Sequence, residues 1–150
     1  MKYRMYFFVP YNISEIQKGI QAGHAALEYA ERFYHTATYR NFITADKTWV
    51  ILNGGTTRGQ FQCEDGEGLG SMNEISISLV ANYIPHANFC ESDLNYALSA
   101  ICFLADERVF DFKKYPDYDF DKEWRTSYIE RVGGEKNSFL RELIRDKRLA

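Results

Sequence analysis

Met5-Tyr6-Phe7-Phe8-Val9 and Thr48-Trp49-Val50-Ile51-Leu52-Asn53, with a glycine-bearing helix between them, decide the fold of this chain. Each run is continuously apolar, as a strand covered on both faces is. Each also ends in turn residues: Pro10 and Asn12 follow the first, Gly54-Gly55 the second. Between them the spacing predicts a helix from about Ser14 to Tyr34, because Ile16, Ile20, Gly23, Leu27, Ala30 and Tyr34 recur at steps of three and four. Ser14 is a good N-cap, and Gln17 three residues later completes a capping box. Gly19 and Gly23 sit one turn apart inside this helix, where glycine costs about 1 kcal/mol relative to alanine. Two such residues predict a close approach of the helix to the sheet or to a ligand, so that Gly23→Leu would overpack a tight contact. Buried strands joined through a helix pair in parallel.

Beyond this unit the pattern is less regular. Thr38 to Ala45 reads as a short helical turn. Gly54 to Ser71 is a long segment with six glycines and the acidic patch Glu64, Asp65 and Glu67, the kind of loop that is functional or mobile. Glu74 to Tyr83 alternates, with Ile75, Ile77, Leu79, Ala81 and Tyr83 on one side, and predicts a half-exposed strand. Leu94, Ala97, Leu98, Ile101, Ala105 and Val109 predict a long helix from about Ser92 to Phe110. Lys113 to Asp121 reads as a linker, before helices at about Asp121 to Val132 and Ser138 to Leu149 split by Gly133-Gly134. The expectation is one α/β domain over residues 1–150, with a small mixed sheet, flanking helices and a helical carboxyl-terminal half.

Composition narrows the function. The chain has 150 residues, enough for a core without staples, and a net charge of −3. Residues 1–60 carry seven basic against four acidic side chains, 61–121 three against twelve, and 122–150 eight against five. An acidic middle third argues against an extended nucleic-acid surface, which needs many cations to displace condensed counterions. Cys63, Cys90 and Cys102 are odd in number and form no CxxC, so they predict free thiols, a cytoplasmic setting and no metal site. No apolar run is long enough to span a membrane, and Met1 to Pro10 is too short for a signal peptide. Nothing in the sequence asks for a cofactor. Eleven tyrosines and eleven phenylalanines suit a core and an oligomer interface, or bases stacked on rings. The helices after Ser92 are the expected homo-oligomer interface.

Gln21-Ala22-Gly23-His24-Ala25-Ala26-Leu27 resembles the first helix of type-2 peptidyl-tRNA hydrolases, which also follows a buried strand and carries a Gln-x-Gly-His-Ala-Ala pattern. The resemblance covers about the first 55 residues, and it implies that family's strand-helix-strand unit. Two departures separate it from the activity. The family's lysine seven residues before the histidine is Gln17 here, and Lys18 points about 100° round the helix. The family's Asp-Ala-Gly-x-Thr segment has no match. The aromatic-rich character is also similar to small bacteriophage accessory proteins, some of which sequester the nucleotide signals of host defence.

Candidate site residues follow from both lines. His24 reads either as a packed core histidine or as a base that needs an orienting partner, and the sequence names none. A Cys–His nucleophile pair has no local support. Ligands of open α/β sheets collect beyond the carboxyl ends of parallel strands, which here are Tyr11-Asn12 and Asn53 to Arg58. Tyr11, Asn12, Lys18, Asn53, Gly54, Thr56 and Arg58 therefore form the expected mouth for a small anionic, nucleotide-like ligand. The leading expectation is capture of such a ligand without turnover. Hydrolysis of an RNA-linked ester and a partner-binding module are the alternatives.

Overall fold

The strand β1 (Tyr3–Pro10) runs through the centre of the sheet and divides the core in two. Met5, Phe7 and Val9 enter one cluster, Tyr6 and Phe8 the other, as the period-two geometry of a strand dictates. The computed structural model describes residues 1–58 and 69–150. Cys63 and the acidic patch Glu64, Asp65 and Glu67 lie outside the described residues.

From β1 the chain enters α1 (Glu15–Phe33), then α2 (Ala37–Asn41) and a π-helical turn at Phe42–Asp46, and returns as β2 (Thr48–Gly55). β2 lies parallel to β1, with Phe7 opposite Ile51, as the two apolar runs predict. α3 (Ser71–Ala81) follows, then a hairpin of β3 (His86–Glu91) and β4 (Ala97–Asp106). The sheet order is β2-β1-β4-β3, with β4 antiparallel to both neighbours. α4 (Glu107–Phe110), α5 (Arg125–Arg131) and α6 (Glu135–Arg145) complete the chain. The result is an α/β protein with a small, open, mixed four-stranded sheet. α1 covers the Phe7 face, and α3 and α6 cover the Phe8 face.

Two predicted elements are replaced. Residues 74–83 form helix rather than strand: Met72, Ile75 and Leu79 are buried at helical spacing, while Ile77 and Val80 face solvent. Isoleucine-rich segments have modest helix propensity, and here tertiary burial outweighs it. The long helix predicted from Ser92 to Phe110 is instead the β3–β4 turn and the strand β4. Asn95 and Tyr96 both take positive φ, 55° each, which closes a hairpin and cannot occur within a helix. β4 is central and buried on both faces, so its continuous apolar run satisfies helical spacing by accident. The helical carboxyl-terminal part therefore begins at Glu107 rather than at Ser92, and of the helices expected to form an oligomer interface the first is replaced by the β3–β4 hairpin.

The orientation of α1 is the third correction. Its buried residues are Gln21, Ala22, Ala25 and Tyr29. The apolar stripe read from the sequence lies outside, with Ile16 77% and Leu27 71% exposed. Alanines let the helix lie close to the sheet, and they carry little hydrophobic signal. Gly19 and Gly23 make no close approach, since a Cβ added at either meets nothing within 4 Å. Gly19→Ala and Gly23→Ala should therefore each raise stability by about 0.5–1 kcal/mol, measured by denaturant unfolding. Destabilisation by either would restore the tight-contact reading.

The carboxyl terminus protects the open edge. Asn53 N–H donates to the Arg148 carbonyl at 2.9 Å, and Ala150 N–H to that of Ile51 at 3.0 Å. The β2 edge is thereby partly paired, which removes a template for strand addition.

Candidate functional site

Parallel pairing of β1 and β2 brings Tyr11 and Asn12 to the same end of the sheet as Asn53, Gly54 and Thr56, with Tyr11 N–H donating to the Gly55 carbonyl at 2.9 Å. Four of the backbone amides at this end are already used, the Tyr11 N–H among them. Gly55 N–H donates to Asn53 Oδ1 at 2.8 Å, Thr56 N–H to Ser71 Oγ at 2.9 Å, and Arg58 N–H to Asn73 Oδ1 at 3.3 Å. Ser71 Oγ donates in turn to the Gly54 carbonyl at 2.6 Å. Gly54 is buried, and a Cβ there would collide with the Met72 sulfur. Gly55, at φ +84°, has no room beside Ser71 Oγ. The glycines are thus required by packing against the start of α3. Lys18 pairs with Glu15 at 2.8 Å, and Arg58 lines a groove with Asn73, Asn88 and Tyr96.

A different set of residues converges over the amino-terminal half of α1. There the β3–β4 turn folds across the helix and encloses a cleft of about 500 Å³ lined by Ser14, Gln17, Gln21, His24, Glu91 and Asp93. Gln21 organises it. Only 2% exposed, its Oε1 accepts from the Ser99 hydroxyl at 2.5 Å. Its Nε2 donates to Glu91 Oε2 at 3.0 Å and to Gln17 Oε1 at 3.3 Å. Ser99 can reach Gln21 because β4 carries a bulge: Phe89 pairs with Ala100 and Cys90 with Leu98, leaving Ser99 as the extra residue. Such a buried, satisfied network fixes the carboxylate's position.

The Gln21 amide, and after it the Asp93 N–H, hold the Glu91 carboxyl below its ordinary pKa of 4.5, so it is ionised at neutral pH. His24 lies one turn beyond Gln21, and its ring stacks on Phe89 with centroids 4.4 Å apart and planes 13° from parallel. No hydrogen bond or ion pair joins it to Glu91 among the described residues. They face one cleft with space between them. Ser14 Oγ caps the helix, accepting from Gln17 N–H at 3.2 Å. The Gln17 side chain, expected to return the cap, contacts Gln21 in the cleft instead.

The remaining expectations resolve simply. Cys102 is buried, donates to the Ala25 carbonyl at 3.2 Å, and burial pushes its thiol up to about 12. Burial also raises the Cys90 thiol, which lies outside the His24 cleft. Neither is a thiolate nucleophile at neutral pH. No cluster of metal-ligating side chains occurs, and no helix is long and apolar enough to cross a membrane, among the described residues. Glu91 and Ser99 are the site residues that the sequence reading missed. The available signal was Asn95, a turn residue inside the supposed helix.

No known protein-family model matches the chain, and no curated protein sequence matches it significantly.

Proposed function

We propose that the His24 cleft hydrolyses an ester linked to RNA, in the manner implied by the resemblance to type-2 peptidyl-tRNA hydrolases. The observation that carries this reading is the placement of an ionised carboxylate, Glu91, across one cleft from the histidine of the Gln-x-Gly-His-Ala-Ala helix. A general base needs a partner to stabilise the imidazolium it becomes, and Glu91 supplies that charge. In the step proposed, water between the two gives a proton to neutral His24 as its oxygen bonds to the acyl carbon. The bond from that carbon to the ribose oxygen breaks, and His24 returns the proton to the departing hydroxyl. Gln17 offers a neutral amide where the related family has a lysine.

The test is deacylation of an N-acetylated aminoacyl-tRNA, with free tRNA as the expected product. Intact substrate after incubation with excess protein would overturn the assignment. A second reading, capture of a nucleotide-type ligand without turnover, is favoured by Gln17 standing in the cleft where the related family has its lysine. That reading expects a bound ligand to be recovered unchanged.

A further inference from the structure

The other end of α1 opens onto a larger cavity of about 570 Å³, between the helix, the start of α6 and the outer end of β4. Arg32, Arg108 and Lys136 line it, and among the described residues Asp106 is its one carboxylate. In a chain of net charge −3 this is a local excess of two positive charges. Asp106 is also fully engaged. Its oxygens accept from Arg108 Nε at 3.0 Å and Arg108 Nη2 at 2.9 Å, and from Asn137 Nδ2 at 3.2 Å. Burial alone would raise the Asp106 pKa, but these donors outweigh it and keep the carboxylate ionised. The pair holds the Arg108 guanidinium against Gly133 and leaves Nη1 without a hydrogen-bond partner among the described residues. Arg32 and Lys136 make no ion pair among the described residues.

The rest of the lining is aromatic and apolar, with Tyr3, Tyr29 and Phe33 presenting rings beside Leu104 and Pro85. Tyr29 and Phe33 form a tilted pair with centroids 4.5 Å apart. A flat apolar body and a terminal anion are the two features such a lining recognises, the first by burial against rings and the second by guanidinium and ammonium groups. The volume is of the size that small-molecule pockets have.

We propose that this cavity is a binding site for a nucleoside monophosphate, with the base against the Tyr29–Phe33 rings and the phosphate held by Arg32, Arg108 and Lys136. The site is separate from the His24 cleft and does not rest on the esterase reading. A nucleotide finds cations here that the described lining of the His24 cleft does not supply.

The test is calorimetric titration of the protein with AMP and GMP at low salt, repeated with the double variant Arg32→Ala/Lys136→Ala and with His24→Ala. Both replaced cations are exposed, so circular dichroism of the double variant should match the parent. The expected result is binding of at least one nucleotide that weakens about tenfold or more in the double variant, is unchanged in His24→Ala, and weakens with added salt. Adenosine and inorganic phosphate alone should each bind more weakly than AMP. No binding of either nucleotide at concentrations on the order of 1 mM, or binding that the double variant leaves unchanged, would overturn the proposal. Because the cleft is tested by deacylation and this pocket by titration, either assignment can fail alone.

Discussion

His24→Ala should lower the rate of ester cleavage by about 10²- to 10⁴-fold, the range that a positioned general base contributes. Folding should be little affected, because the ring is only half-buried and its partner Phe89 keeps its place in β3. Glu91→Gln should reduce kcat in the same direction with less effect on KM. The amide keeps an oxygen for Gln21 Nε2 and removes the charge that the imidazolium needs. Titration of the Glu91 carboxylate, followed by NMR, adds a readout that a merely structural role would not move. Glu91 has a lowered pKa in the folded protein, so its titration should lie below the ordinary value of 4.5. Gln21→Met removes the largest cause of that lowering, and the titration should move upward. Wild-type cleavage by His24→Ala would place the chemistry elsewhere, and an unmoved Glu91 titration in Gln21→Met would remove Gln21 from its positioning role.

The amino-terminal half of the architecture was legible because its signals were redundant. β1 and β2 are apolar runs closed by proline and glycine, and Ser14 caps α1 as its sequence predicts. What failed was the choice between periods. The alternation of Ile75, Ile77 and Leu79 fits a strand, and the same residues with Met72 fit a helix that buries only some of them. β4 presents the converse case, where burial on both faces erases alternation. In α1 the large apolar residues lie outside and the sheet-facing stripe is Gln21, Ala22, Ala25 and Tyr29, so hydrophobicity alone selects the wrong side. The cleft was half legible. Gln21 and His24 stand in a recognisable pattern, whereas Glu91 and Ser99 reach them only through a hairpin and a bulge separated by about seventy residues of chain. At the strand-end mouth, sequence indicates which backbone amides a glycine turn exposes, but not that Ser71, Asn73 and Asn53 accept from three of them.

Arg141→Met should destabilise the protein by about 3–5 kcal/mol, the cost typical of removing one member of a buried charged network. Arg141 is fully buried on α6, and its guanidinium ties the segment between α4 and α5 to the body of the fold. Nη1 donates to the Arg108 carbonyl at 2.7 Å, and Nη2 donates to the Tyr115 carbonyl at 2.8 Å and to Asp117 Oδ1 at 3.0 Å. The same group lies 4.3 Å from the Phe112 ring centre, a cation–π contact that strengthens out of water. Methionine would fill comparable space, and replacing a complete buried ion pair by apolar groups is often harmless. Here two of the acceptors are main-chain carbonyls that no substitution at 141 can delete, and each would be left without its donor. Asp117→Asn should cost much less, since that carboxylate is 48% exposed and also meets Arg145 at 2.8 Å. For a domain of this size the Arg141→Met loss corresponds to a fall in Tm of roughly 6–20 °C. Thermal unfolding followed by circular dichroism checks the magnitude, and limited proteolysis between residues 111 and 124 checks the location. A fall of less than about 2 °C would mean that the segment is held by its apolar contacts and not by the arginine.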